Sequence, residues 1–107
     1  MSDSVFIGID AGSSATKCVV LGEDGTLLAH HVVSSGFDYG EAADAALDAV
    51  LSDANQDRST IAACVSTGYG RRCVEIADRQ LTEITCHARG AREWYPEVRN
   101  IIDIGGQ

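Results

Sequence analysis

The residues best suited to chemistry sit near the start of the chain. An apolar run ends at Asp10, and Ala11-Gly12-Ser13-Ser14-Ala15-Thr16 leads to Lys17 before the chain turns apolar again. Small residues let backbone amides approach the oxygens of a phosphate, and hydroxyls or a lysine add donors. A carboxylate such as Asp10 can hold Mg²⁺, usually through water, because magnesium keeps much of its hydration shell. Asp10, Gly12, Ser13, Ser14, Thr16 and Lys17 supply all these parts. The pattern is not a P-loop: Thr16 stands where that motif needs a glycine, and the following Cys18-Val19-Val20-Leu21 reads as strand, not helix. A phosphate here would sit on a β-hairpin. An ordinary glycine–serine hairpin with a surface lysine carries the same residues, and the segment alone does not separate the two readings.

The chain end carries a second segment of this kind. Asp103 is followed by Ile104, Gly105, Gly106 and Gln107, so a strand would end in a carboxylate and a glycine pair that a phosphate can approach closely. Two strand-end turns of phosphate type in one small domain support each other. Between them, Gly68-Tyr69-Gly70 partly matches a dinucleotide fingerprint, but Cys73 replaces the third glycine, and a flexible strand-to-helix turn is the simpler reading. Glu83, His87, Gly90 and Trp94 fall at helical neighbour spacing. Glu83 could orient a water and His87 carry a proton; a solvated Glu–His pair fits the same spacing. Gly90 costs a helix roughly 1 kcal/mol against alanine, which points to a close backbone approach there. His30 and His31 are adjacent in a strand, point to opposite faces, and share no metal site.

The elements that must position these residues follow from periodicity. Val5 to Asp10, Lys17 to Leu21 and Leu27 to Val33 read as three strands of an antiparallel meander, with Glu23-Asp24-Gly25 as a type I′ hairpin turn. Glu41 to Ala54 is helical, with Ala43, Leu47, Val50 and Ala54 on one stripe. Ile61 to Val65 is a short buried strand. A long helix is predicted from about Cys73 to Trp94, with Ala77, Leu81, Ile84, Ala88 and Ala91 as its stripe and Pro96 at its end. Asn100 to Ile104 makes a last strand. The order βββαβαβ implies one mixed five-stranded α/β sheet with helices packed on it. A strand running into Gly-Gly-Gln is expected to continue, so residues 1–107 read as the N-terminal part of a longer protein.

Composition narrows the setting. The 107 residues are 45% hydrophobic, enough for one small domain with a modest core. No apolar run is long enough to span a bilayer, and the start lacks the basic-then-apolar pattern of a secretory signal. The net charge of −8 repels nucleic acid and anionic membranes. Cys18, Cys64, Cys73 and Cys86 show no C-x-x-C spacing, so neither a zinc site nor a thioredoxin-like site is indicated, and a reduced cytoplasmic protein is expected.

"GIDAGSSATK", "STGYGR", "EITCHARGA" and "IIDIGGQ" occur in this order. Together they resemble the ATPase components of 2-hydroxyacyl-CoA dehydratase activators and benzoyl-CoA reductases, within the acetate/sugar kinase, Hsp70 and actin superfamily. The resemblance implies an actin-like (ribonuclease H-like) ATPase half-domain, the N-terminal lobe, cut off before a second lobe. It implies ATP or ADP with Mg²⁺ as ligand. Asp10 would position the metal through water, with Ser13, Ser14 and Lys17 on phosphate and Gly12 in the turn. Asp103, Gly105, Gly106 and Gln107 would form the opposing loop, and Glu83 is a candidate for orienting the attacking water. It further implies a homodimer or a paired ATPase subunit, whose bridging [4Fe–4S] cluster passes a low-potential electron to a dehydratase or reductase. The cluster cysteines of that family lie in the second lobe, and none of the four cysteines here matches them. This piece alone is therefore expected to be inactive. Two rival readings stand beside it: a small-molecule kinase of the same superfamily, and a non-enzymatic docking module.

Overall fold

The computed structural model describes residues 3–102 and 104. Alternating side chains set the first strands. In β1, Val5–Ala11, the buried residues are Val5, Ile7, Ile9 and Ala11, and in β2, Ala15–Leu21, they are Thr16, Cys18 and Val20. With β3, Leu27–Ser34, they form the expected antiparallel meander, in which Asp10 lies opposite Lys17 and Lys17 opposite Val32. His31 Nδ1 lies 3.7 Å from Asp53 Oδ2 on the helix that follows.

The β2–β3 connection differs from the expected type I′ turn. Gly25 alone has a positive φ, +86°, while Asp24 does not. Gly22 donates to the Thr26 carbonyl and Gly25 to the Gly22 carbonyl, and the register shifts between Val20 and Leu21. This is a type I turn closed by a left-handed glycine and a bulge. Asp24 also accepts from the Thr26 amide at 3.0 Å, which holds its carboxyl below the usual carboxylate range.

Helix α1, Tyr39–Asp53, is capped by Asp38, whose side chain accepts from the Glu41 amide. Its buried residues Ala42, Ala43, Ala46, Leu47, Val50 and Leu51 belong with Val5, Ile7, Ile9, Cys18 and Val20 to one core. β4, Ile61–Thr67, then runs parallel to β1, with Gly8 opposite Val65 and Asp10 opposite Thr67.

After β4 the chain departs from the predicted long helix. A 3₁₀ turn covers Arg71–Cys73, a two-residue strand β5 covers Arg79–Gln80, and helix α2 spans only Glu83–Trp94. The reason is competition from the edge of β4. Asp78 accepts from the Cys64 amide through its carboxylate at 2.7 Å and donates its own amide to the Cys64 carbonyl, and Leu81 donates to the Ser66 carbonyl. Ala77 and Leu81 therefore lie along a sheet edge, and Thr82 caps α2 through the Thr85 amide. The helix stops just before Pro96, as expected.

The sheet is mixed and five-stranded, in the order β3-β2-β1-β4-β5. Its fifth strand is Arg79–Gln80; the described residues of the expected last strand, 100–102 and 104, are not in strand. Among the described residues the order is thus βββαββα. Cys18 and Cys64 are buried, Cys86 is half-buried and Cys73 is exposed, all four as free thiols. Open space surrounds Gly90, so no close approach explains that glycine.

Candidate functional site

β1 ends one residue after Asp10, and the hairpin that follows is closed by the Gly12 amide donating to the Ala15 carbonyl at 3.1 Å. Asp10, Lys17 and Thr67 occupy matched register positions on three neighbouring strands, so they share one sheet face, opposite the face that buries Ile9 and Ala11 against the core. A cleft of about 300 Å³ opens there, lined by Asp10, Gly12, Ser13, Ser14, Ala15, Lys17, Tyr69 and Glu83. Open α/β sheets bind ligands at such carboxyl strand ends.

The charged groups lining the cleft are the Lys17 ammonium and the carboxylates of Asp10 and Glu83. Lys17 Nζ lies 3.9 Å from Asp10 Oδ2, on a side chain 59% exposed, so the pair holds the ammonium loosely and leaves it open to an incoming anion. Asp10 Oδ1 is buried and accepts no hydrogen bond from the described residues, and the same holds for Thr67 Oγ1 beside it. An ionised carboxylate oxygen kept from water needs a donor or a cation. That fits a hydrated Mg²⁺ at Asp10.

Gly68 closes the other side. Its φ is +90°, and a Cβ there would lie 2.6 Å from both Asp10 Oδ1 and the Ala11 carbonyl oxygen. Only glycine lets β4 leave the sheet this close to the carboxylate. Gly70 donates to the Ala11 carbonyl at 2.9 Å, fixing the loop to the end of β1.

The sequence-predicted residues divide clearly. Asp10, Gly12, Ser13, Ser14, Lys17 and Glu83 come together in one cleft. Thr16 does not join them: its hydroxyl is fully buried on the core side and bonded to Ser35 at 2.9 Å, because strand alternation turns it away from Lys17. His87 is not among the lining residues. Arg71 bonds the Gly68 carbonyl through Nη1 at 2.9 Å and so serves the loop instead of the cleft. Asp103, Gly105, Gly106 and Gln107 lie outside the described residues. Two contributors escaped the sequence reading. Tyr69 lines the cleft, 61% exposed, from what looked like a plain turn. Ser35 reaches the hairpin from the β3–α1 loop across the sheet, a contact that no local pattern reveals.

A mixed five-stranded sheet whose first hairpin and fourth strand enclose such a cleft has the architecture of the actin-like ATPase fold. The chain belongs to the BadF/BadG/BcrA/BcrD ATPase family, whose model matches residues 7–107. It is 40% identical over 102 residues to the (R)-2-hydroxyglutaryl-CoA dehydratase activating ATPase of Acidaminococcus fermentans, covering 94% of this chain and 39% of that protein. The crystal structure of component A of that dehydratase superposes with a TM-score of 0.86 at 38% identity, over 98% of this chain and 40% of the other. The activator of 2-hydroxyisocaproyl-CoA dehydratase from Clostridium difficile, solved with bound ADPNP, gives 0.83 at 39% identity, over 96% of this chain and 38% of the other. The chain thus spans about two-fifths of the length of the relatives it matches.

Proposed function

We propose that this chain is the nucleotide-phosphate lobe of an ATP-hydrolysing activator that drives low-potential electron transfer to a 2-hydroxyacyl-CoA dehydratase or a benzoyl-CoA reductase. The observation that carries the reading is the buried, unpartnered Oδ1 of Asp10 at the foot of a glycine–serine hairpin, with Lys17 beside it. Asp10 would hold Mg²⁺ through water, and the bound ion would supply charge neutralisation on the phosphates. Ser13, Ser14 and Lys17 grip the phosphate tail, and Gly12 lets the backbone approach it. Glu83, across the cleft, orients the attacking water. Asp103, Gly105, Gly106 and Gln107 open the opposing phosphate loop.

The full protein works, in this reading, as a cytoplasmic dimer with ATP between the two lobes of each subunit, and its [4Fe–4S] cluster is held by the second lobe. Phosphate contacts hold one arrangement of the lobes, and their loss on hydrolysis releases it. The test uses the protein that joins this lobe to its second one. Asp10→Asn is expected to lower Mg²⁺-dependent ATP hydrolysis by about 10²-fold or more, and activation of the dehydratase with it. Hydrolysis at the wild-type rate in that variant would contradict the assignment of Asp10. Active ATPase without any stimulation of a dehydratase or reductase would contradict the activator role.

A further inference from the structure

Ser35 lies in the loop between β3 and α1, where polar side chains ordinarily face water, yet only 2% of its surface is exposed. Its amide donates to the Ser14 carbonyl at 3.0 Å. Its hydroxyl donates to the Gly12 carbonyl and also meets the Thr16 hydroxyl at 2.9 Å. A serine has one hydroxyl proton, and Gly12 takes it, so Thr16 is the donor in the second bond. Ser35 therefore engages Gly12, Ser14 and Thr16 from one side of the hairpin.

The polarity of these bonds matters more than their number. A backbone turn attracts an anion only when its amides are available and its carbonyl oxygens are directed elsewhere. Ser35 occupies the Gly12 carbonyl through its hydroxyl and the Ser14 carbonyl through its amide, which takes both out of competition with an anion. The Gly12 amide is spent on the Ala15 carbonyl, while the amides of Ser13 and Ser14 have no partner among the described residues. We infer that Ser35 is a positioning residue for anion binding: it sequesters the turn's carbonyls so that the Ser13 and Ser14 amides remain as donors to a phosphate group. This rests on the reading of the hairpin as a phosphate site and adds to it a residue that touches no ligand.

The test is an NMR titration of the 107-residue chain with inorganic pyrophosphate and Mg²⁺, resolved at the backbone amides. The wild-type chain should show shifts at Ser13 and Ser14. Ser35→Ala should weaken pyrophosphate binding roughly tenfold, equivalent to the loss of one hydrogen bond, with Ser35→Thr restoring part of it. Thr16→Val keeps the buried shape, removes only the hydroxyl that bonds Ser35, and should weaken binding by a smaller factor. Should Ser35→Ala fail to fold, Thr16→Val carries the comparison. Wild-type affinity in the folded variants would overturn the role of Ser35 and leave the phosphate reading standing. No shift at the turn in the wild-type chain would overturn the phosphate reading, and the role of Ser35 with it.

Discussion

At the residue scale, burial decides what the thiols can do. Desolvation raises the Cys18 thiol to about 12, with neighbouring Cys64 adding to the effect, and raises Cys64 to about 11, with Asp78 adding to it. Both stay protonated and unreactive near neutrality. Alkylation of the folded chain at pH 8 should therefore modify exposed Cys73 and spare Cys18 and Cys64, as mass mapping would show. Because the folded values are raised, this contribution to stability is complete below the ordinary thiol value and is lost as pH climbs from about 9 toward 11–12. Urea unfolding should therefore show lower stability at pH 10 than at pH 8, and Cys18→Val should flatten that slope. Gly68→Ala should cost about 1–3 kcal/mol, since it forces a Cβ onto Asp10 Oδ1 and the Ala11 carbonyl at a positive φ; thermal unfolding would measure it. Asp10, Ser13, Ser14 and Lys17 were legible as one cluster because they lie on a single short hairpin and line one cleft. Thr16 has a suitable type but the wrong parity on its strand, and Ser35 is separated from the hairpin by 19 to 23 positions, so only the fold reveals it.

At the element scale, α1 and α2 contrast. α1 buries six residues and is fastened at its outer face by Arg58, which reaches Asp48 at 3.1 Å and Asp44 at 3.4 Å. Leu47, fully buried, should cost about 2–5 kcal/mol when truncated to alanine. α2 has no buried residue, and Ile84 and Trp94 stand exposed on it. Its amides should exchange with solvent well before those of α1 and β1 in a hydrogen-exchange experiment; equal protection would show that α2 is held more firmly than its packing implies. The meander, α1 and β4 were readable because each has an unbroken period bounded by a turn. The stretch from Cys73 to Trp94 was misread because Ala77 and Leu81 happen to keep helical spacing with Ile84, while the deciding interaction, Asp78 with the Cys64 backbone, comes from an edge that periodicity does not describe.

At the scale of the whole molecule, the fold brings the end of β1, the hairpin, the glycine turn after β4 and the start of α2 around one cleft. The core fixes β1, β4 fixes Gly68, and the loop after β3 delivers Ser35. In the proposed function this cleft grips the phosphate tail of a nucleotide. The most direct measurement is a backbone-amide NMR titration of the chain with Mg-ADP. Shifts should concentrate at residues 12–17 and 68–70 and be lost in Lys17→Ala. Shifts confined to other surfaces, or none at millimolar nucleotide, would contradict it.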